Sequence, residues 1–142
     1  MEYGKSIFLA VSLSLMPPLL IAKPVDLNSV SGNWHLRVMD GMEVRKARAI
    51  VEFIAPKMQL SGFDGCNRIT GTLTPTANNT LSTKLMSTRM ACREPIHSYV
   101  SQRLHQALNE GFEIKKEKKY GIEGITLKSA THELFFKKMQ RE

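Results

Sequence analysis

The chain has little cysteine, an acid deficit and no long uninterrupted apolar run. Two cysteines in 142 residues are too few for a disulfide-dense mini-scaffold or a four-thiolate zinc site. The only extended apolar stretch, Ile7 to Ala22, is interrupted by Pro17-Pro18. A spanning helix needs about 20 apolar residues, so a polytopic membrane protein is excluded. Signatures of several chemistries are missing too. There is no His-Glu-x-x-His, no Cys-x-x-Cys and no Gly-x-Ser-x-Gly. Gly62-Phe63-Asp64-Gly65 lacks the Lys and Ser/Thr of a phosphate-cradling loop. What is present suits a single globular domain: 42% apolar residues, 23% charged residues, and 20 Lys+Arg against 13 Asp+Glu for a formal charge of +7.

The broken apolar stretch at the start resembles the h-region of a secretory signal peptide, with Ala22 suited to the last position before the cut. Leu20 is bulkier than the residue usual two places earlier, and Glu2 offsets Lys5 in the n-region. The division expected is a signal peptide at 1–22, a polar lead-in at 23–29, a domain at 30–138 and a tail at 139–142. No cysteine lies in or just after the apolar stretch, so no lipid-modified terminal cysteine is expected. The predicted location is the periplasm or the exterior, without a lipid anchor.

Alternation marks the strands. Trp34, Leu36 and Val38 alternate with His35 and Arg37, and Asp40-Gly41 then predicts a turn. Ala47, Ala49, Val51 and Phe53 repeat the alternation up to Ala55-Pro56-Lys57. Further strands are predicted from Met58 to Gly62 and from Ile69 to Leu73. Pro75 to Thr80 is polar and turn-forming, and Leu81 to Leu85 is extended. Ile96, Tyr99, Val100, Leu104, Ala107 and Leu108 follow a 3.6-residue period. Pro95 suits the first helical position and Gly111 the left-handed position past the end, which bounds a helix over 94–109. Strands follow at 112–114, 124–127 and 132–138. In the last of these Phe135 faces away from Leu134 and Phe136, which implies cover on both sides.

Two segments carry a resemblance. The first is Gly65-Cys66-Asn67-Arg68 with Gly71. The second, some twenty residues on, is Thr88-Arg89-Met90-Ala91-Cys92 ahead of the amphipathic helix. Together they resemble the META domain, the HslJ-like family, over residues 30–138. The family pattern is met at Cys66, Asn67, Arg68, Gly71, Thr88, Met90, Ala91 and Cys92. The resemblance implies an α+β fold: a curved, mostly antiparallel, partly closed β-sheet with one principal amphipathic helix packed across it. It also implies an envelope or stress association rather than an established reaction, and no cofactor. Physical chemistry assigns the motif structural work. Its glycines permit a tight turn. Asn67 is suited to capping that turn, and Arg68 to bracing a carboxylate or carbonyls.

Each motif segment holds one of the two cysteines. In an exported chain this predicts a disulfide between Cys66 and Cys92. The competing account is a pair of buried free thiols acting as small apolar side chains.

No catalytic, cofactor-binding or metal-ligating set emerges from the remaining residues. No base is placed beside Cys66. His97 and His105 lie about 80° apart around a helix and two turns along, so they cannot chelate one ion. The methionines read as core filling. Lys115, Lys116, Lys118 and Lys119 cluster around Glu117, a run suited either to contact with an anionic membrane surface or envelope protein, or simply to solvent. Export disfavours nucleic acid as a partner. The leading expectation is a non-enzymatic, exported protein with a stress-related or binding role in the cell envelope. The alternative is a secretion-pilot-like or chaperone-like module that holds a peptide or acyl chain in a sheet–helix groove. An enzyme of unknown class ranks behind both.

Overall fold

The computed structural model describes residues 26–140. The expected signal peptide, the start of the lead-in and the end of the tail therefore lie outside the described residues. Among the described residues eleven strands run in chain order: β1 Gly32–Met39, β2 Met42–Glu43, β3 Ile50–Ile54, β4 Gln59–Phe63, β5 Arg68–Thr72, β6 Thr74–Thr76, β7 Thr80–Ser82, β8 Met86–Ser87, β9 Phe112–Lys119, β10 Ile122–Ser129 and β11 Glu133–Lys138. The one α-helix among the described residues, α1, spans Pro95–Glu110. Ten strands form one antiparallel path, β6-β7-β9-β10-β11-β1-β3-β4-β5-β8, and β2 pairs with β1 beside it. The sheet curls into a half-barrel with α1 packed across it, as the resemblance implied.

The core sits inside the curl. Trp34, Leu36, Val51, Phe53, Leu60, Ile125, Leu127 and Phe136 are buried from the sheet. The helix adds Val100, Leu104, Ala107 and Leu108, with Ile96 and Tyr99 packed at its margin. These are the six residues of the predicted apolar face. Trp34 donates its indole N–H to the Val30 carbonyl at 2.8 Å, which closes the lead-in over the sheet. The first and last strands lie side by side, with Leu36 opposite Phe136. Phe135 is buried on the outer face, where the Tyr120 ring meets it edge-on at 5.6 Å. The expected two-sided cover of β11 is thus present.

Several boundaries differ from the sequence reading. The second alternating segment is not a strand from Ala47. Arg45–Ala47 is a 3-10 turn, and Arg48 takes a left-handed conformation before β3 starts at Ile50. Ala47 and Ala49 are nonetheless buried, so the alternation tracked burial rather than the hydrogen-bond ladder. The predicted turn at 75–80 is a short hairpin, β6 to β7, around a 3-10 turn at Ala77–Asn79. The extended segment after it ends as a strand at Ser82. The strand predicted at 112–114 continues to Lys119 because β10 pairs along its whole length. The helix starts and ends one residue later than expected, and Gly111 has the positive φ anticipated, at 102°, with an extended ψ of 132°.

Candidate functional site

The two motif segments meet at one end of the half-barrel, between the β4–β5 turn and the start of α1. The turn is organised by Asp64, a residue without assigned role in the sequence reading. Its side chain has 0% exposure. Oδ1 accepts the backbone N–H groups of Cys66 and Asn67, both at 2.7 Å. Oδ2 accepts the Ser101 hydroxyl at 2.9 Å and His105 Nε2–H at 2.6 Å. Burial by itself raises a carboxyl pKa. Here the bonds from His105, Asn67, Cys66 and Ser101 outweigh it and hold Asp64 below the ordinary carboxylate range. Gly65 follows at φ 104°, where a Cβ would also come within 3.3 Å of the His97 carbonyl. The His97 ring returns a bond, Nδ1–H to the Gly65 carbonyl at 2.7 Å.

His97, Ser101 and His105 are spaced four apart, so they form a polar stripe on α1 that faces this turn. The two histidines both bond this one turn. Asp64, His105 and Ser101 have the residue types of a hydrolytic triad but not its roles. Ser101 donates to the aspartate, not to the histidine, so no imidazole accepts from the hydroxyl and the order of a hydrolytic triad is not met.

The second segment is tied to the first by three links. Cys66 and Cys92 form a disulfide with a Cα–Cα separation of 4.7 Å, within the bridging range. Asn67 Oδ1 accepts the Thr88 hydroxyl at 3.0 Å and the Met90 N–H at 2.5 Å. Arg68 and Thr88 share two bonds, backbone Thr88 N–H to Arg68 C=O at 3.1 Å and Arg68 N–H to the Thr88 side-chain Oγ1 at 3.2 Å. Asn67 therefore does not cap its own turn, as expected from the sequence. Asp64 does that, and Asn67 holds the segment just after β8, some twenty residues away. Arg68 does not brace a carboxylate either; its side chain is exposed. Gly71 is needed for close approach: a Cβ there would lie 2.2 Å from Thr83 Oγ1 and 2.9 Å from the Lys84 carbonyl.

These links hold out a loop, Thr88 to Glu94, that is exposed throughout. Met86 and Met90 are 69% and 63% exposed, which corrects the core-filling reading for both. Met139 and Met42 are exposed as well, whereas Met39 is in the core. Two recesses flank the loop. One, of about 620 Å³, includes Lys46, Arg48, Cys66, Met90, Arg93 and His97. The other, of about 900 Å³, includes Phe63, Arg68, Ile69, Thr88 and Met90.

The lysine run lies elsewhere, on β9. Strand geometry sends Lys115 and Lys119 to one face with Glu117, and Lys116 and Lys118 to the other. Lys115 and Lys119 pair with Glu117 at 3.6 and 3.5 Å, and Lys119 also bonds Glu133. Desolvation raises the Glu117 carboxyl, but Lys119 and Lys115 outweigh it and hold it low. The Glu133 contact raises Lys119. The four lysines are thus not one patch, and two of them are already paired.

The class these features define is a disulfide-pinned α+β half-barrel whose motif residues serve to present a loop. The META domain profile matches residues 26–141, and the chain belongs to the META domain family. Two solved structures are similar. One, an NMR structure, has 27% sequence identity over 75% of this chain and 87% of its own, with a TM-score of 0.59. The second, an NMR structure of a protein from Burkholderia xenovorans, has 22% identity over 83% of this chain and 89% of its own, also with a TM-score of 0.59. The latter likeness is one of fold. No curated protein matches the chain. Among the described residues, no helix is long and apolar enough to cross a membrane.

Proposed function

We propose that this META domain is a non-enzymatic binding module, exported to the periplasm or the exterior, with a stress-related role in the cell envelope. One observation carries the reading. The side chains of Asp64, Asn67 and Thr88 are taken up by hydrogen bonds that fix an exposed loop, an arrangement suited to a display surface rather than a reaction centre. The Cys66–Cys92 bridge supports an oxidising compartment.

The test has two parts. Intact mass of the protein recovered from its native host should show loss of about 22 residues. A panel of ester, peptide and glycoside substrates should show no turnover that Ser101→Ala or Cys66→Ser abolishes. Full-length protein in the cytoplasm, or activity lost with either substitution, overturns the proposal.

A second reading, an acyl- or peptide-holding pilot-like module, has one observation in its favour. An apolar recess of about 400 Å³ is lined by Leu27, Met58, Leu81, Phe112 and Ile114. It opens between the lead-in and the β6–β7 hairpin, away from α1, whose inner face is filled by core side chains. Displacement of a fluorescent fatty acid, abolished by Leu81→Glu, would favour that reading.

A further inference from the structure

We propose that the face built from the β8 edge and the disulfide-pinned loop is a docking surface for an extended, acidic polypeptide segment with apolar side chains. The proposal rests on the binding-module reading and names the partner chemistry. Its first ground is charge. Lys46, Arg48, Arg68, Lys84, Arg89 and Arg93 are all exposed, and among the described residues none of them enters an ion pair. The acids nearby are few. Glu94 is at the rim, Asp64 is buried and already bonded four times, and Glu52 lies behind Ser61 at 3.5 Å. Four separate segments supply these cations, so no charge run in the sequence announces the patch.

The second ground is continuity. The two recesses beside the loop share Phe63 and Met90, so cations on both sides flank one apolar divide. Met90 and Met86 are unbranched and adaptable, and both stand out into solvent.

The third ground is the open edge. β8 is the last strand of the path. Thr88 N–H donates to Arg68 C=O, Arg68 N–H goes to the Thr88 hydroxyl, and Thr70–Met86 is the hydrogen-bonded pair two residues on. Ser87, opposite Ile69 between them, therefore turns its N–H and C=O away from the sheet. An extended segment can add there by main-chain bonds, with its acidic side chains among the arginines. A second copy of this chain is disfavoured as occupant, because it would bring like charge to the surface and carries +7 overall. A bilayer is disfavoured because the cations rim recesses and a strand edge rather than a protruding plane.

The probe is an octapeptide alternating Glu with Leu, compared with one alternating Lys with Leu, against the oxidised chain. Fluorescence anisotropy should detect the acidic peptide below about 1 mM, and amide shifts should centre on Ser87 to Met90. Arg89→Glu with Arg93→Glu should weaken binding about tenfold or more. Ser87→Pro, which removes the outward N–H, should weaken it without changing charge. Lys116→Glu with Lys118→Glu should leave it unaltered. Four results overturn the proposal: no binding of the acidic peptide, equal binding of the basic one, shifts centred elsewhere, or tighter binding to anionic vesicles or a single-stranded oligonucleotide. Turnover or cytoplasmic residence would instead sink the module reading. Absence of peptide binding in an exported, inactive protein sinks the docking surface alone.

Discussion

His105 donates Nε2–H to Asp64 Oδ2 at 2.6 Å across a sequence separation of 41. This contact fastens the middle of α1 to the turn that carries Cys66. The carboxylate has no solvent exposure and four protein donors, so its charge is balanced only by bonds that exist in the folded state.

Replacing it should therefore be costly. Asp64→Ala should destabilise the domain by about 3–5 kcal/mol, because it orphans two turn amides and two helix donors at once. Asp64→Asn keeps the shape and some acceptors and should cost less. Urea denaturation of the oxidised proteins measures both. A loss within ~0.5 kcal/mol for Asp64→Ala would contradict the assigned role.

The same group sets an acid limb of stability. Its pKa is depressed in the fold, so its contribution is complete above the ordinary carboxylate value of about 4 and is lost as pH falls through the folded value. Stability measured from pH 5 downward should fall less steeply in Asp64→Asn than in wild type. An unchanged slope would remove Asp64 as its source.

His35 has the opposite chemistry and a different window. Burial, then Arg37 and Arg45, lower its pKa. The unfolded chain takes up its proton first, so stability should decline as pH falls below about 6.5. His35→Gln should flatten the profile between about pH 6.5 and 5 while leaving the more acidic limb from Asp64 intact. Parallel profiles in that interval for the two proteins would count against this.

The bridge closes a separation of 26 residues, worth about 3.5 kcal/mol by chain entropy, less any native strain. Reduction should lower the melting temperature by several degrees or more. Freshly prepared native protein should show no alkylatable thiol before reduction and two after it. Two reactive thiols at the outset would exclude the bridge.

Gly71 offers a steric check on motif packing. Gly71→Ala would drive a methyl into Thr83 Oγ1 and the Lys84 carbonyl. Overpacking of this kind costs about 1–3 kcal/mol. Gly41→Ala is the reverse case, with φ at +82° and no atom within 4 Å, so it reports backbone strain without a clash. A loss within ~0.5 kcal/mol for Gly71→Ala would show that the close approach is not what requires glycine there.

Local chemistry was legible in the chain itself. The apolar face of α1 could be read because helical period and burial coincide at Val100, Leu104, Ala107 and Leu108. The alternation around Trp34 and Leu36 located β1 for the same reason, and the paired motifs placed the two cysteines in segments that meet. What depends on distant partners was not legible. Asp64 sits in an ordinary Asp-Gly turn until Ser101 and His105 arrive from the helix, and only then does a solvated side chain become a buried hub. Asn67 reads as a turn former, yet its acceptor is claimed by Thr88 and Met90. The lysine run reads as a patch, but strand geometry divides it between two faces and Glu117 pairs part of it. The cationic face around Arg68 and Arg93 comes from four segments that only the curl of the sheet and the Cys66–Cys92 bridge bring to one end. Sequence by itself determined which faces of α1 and β1 leave water, because those choices rest on period and turn chemistry. Tertiary structure decided which polar groups are consumed and which remain displayed, because a hydrogen bond between residues far apart in the chain has no local signature.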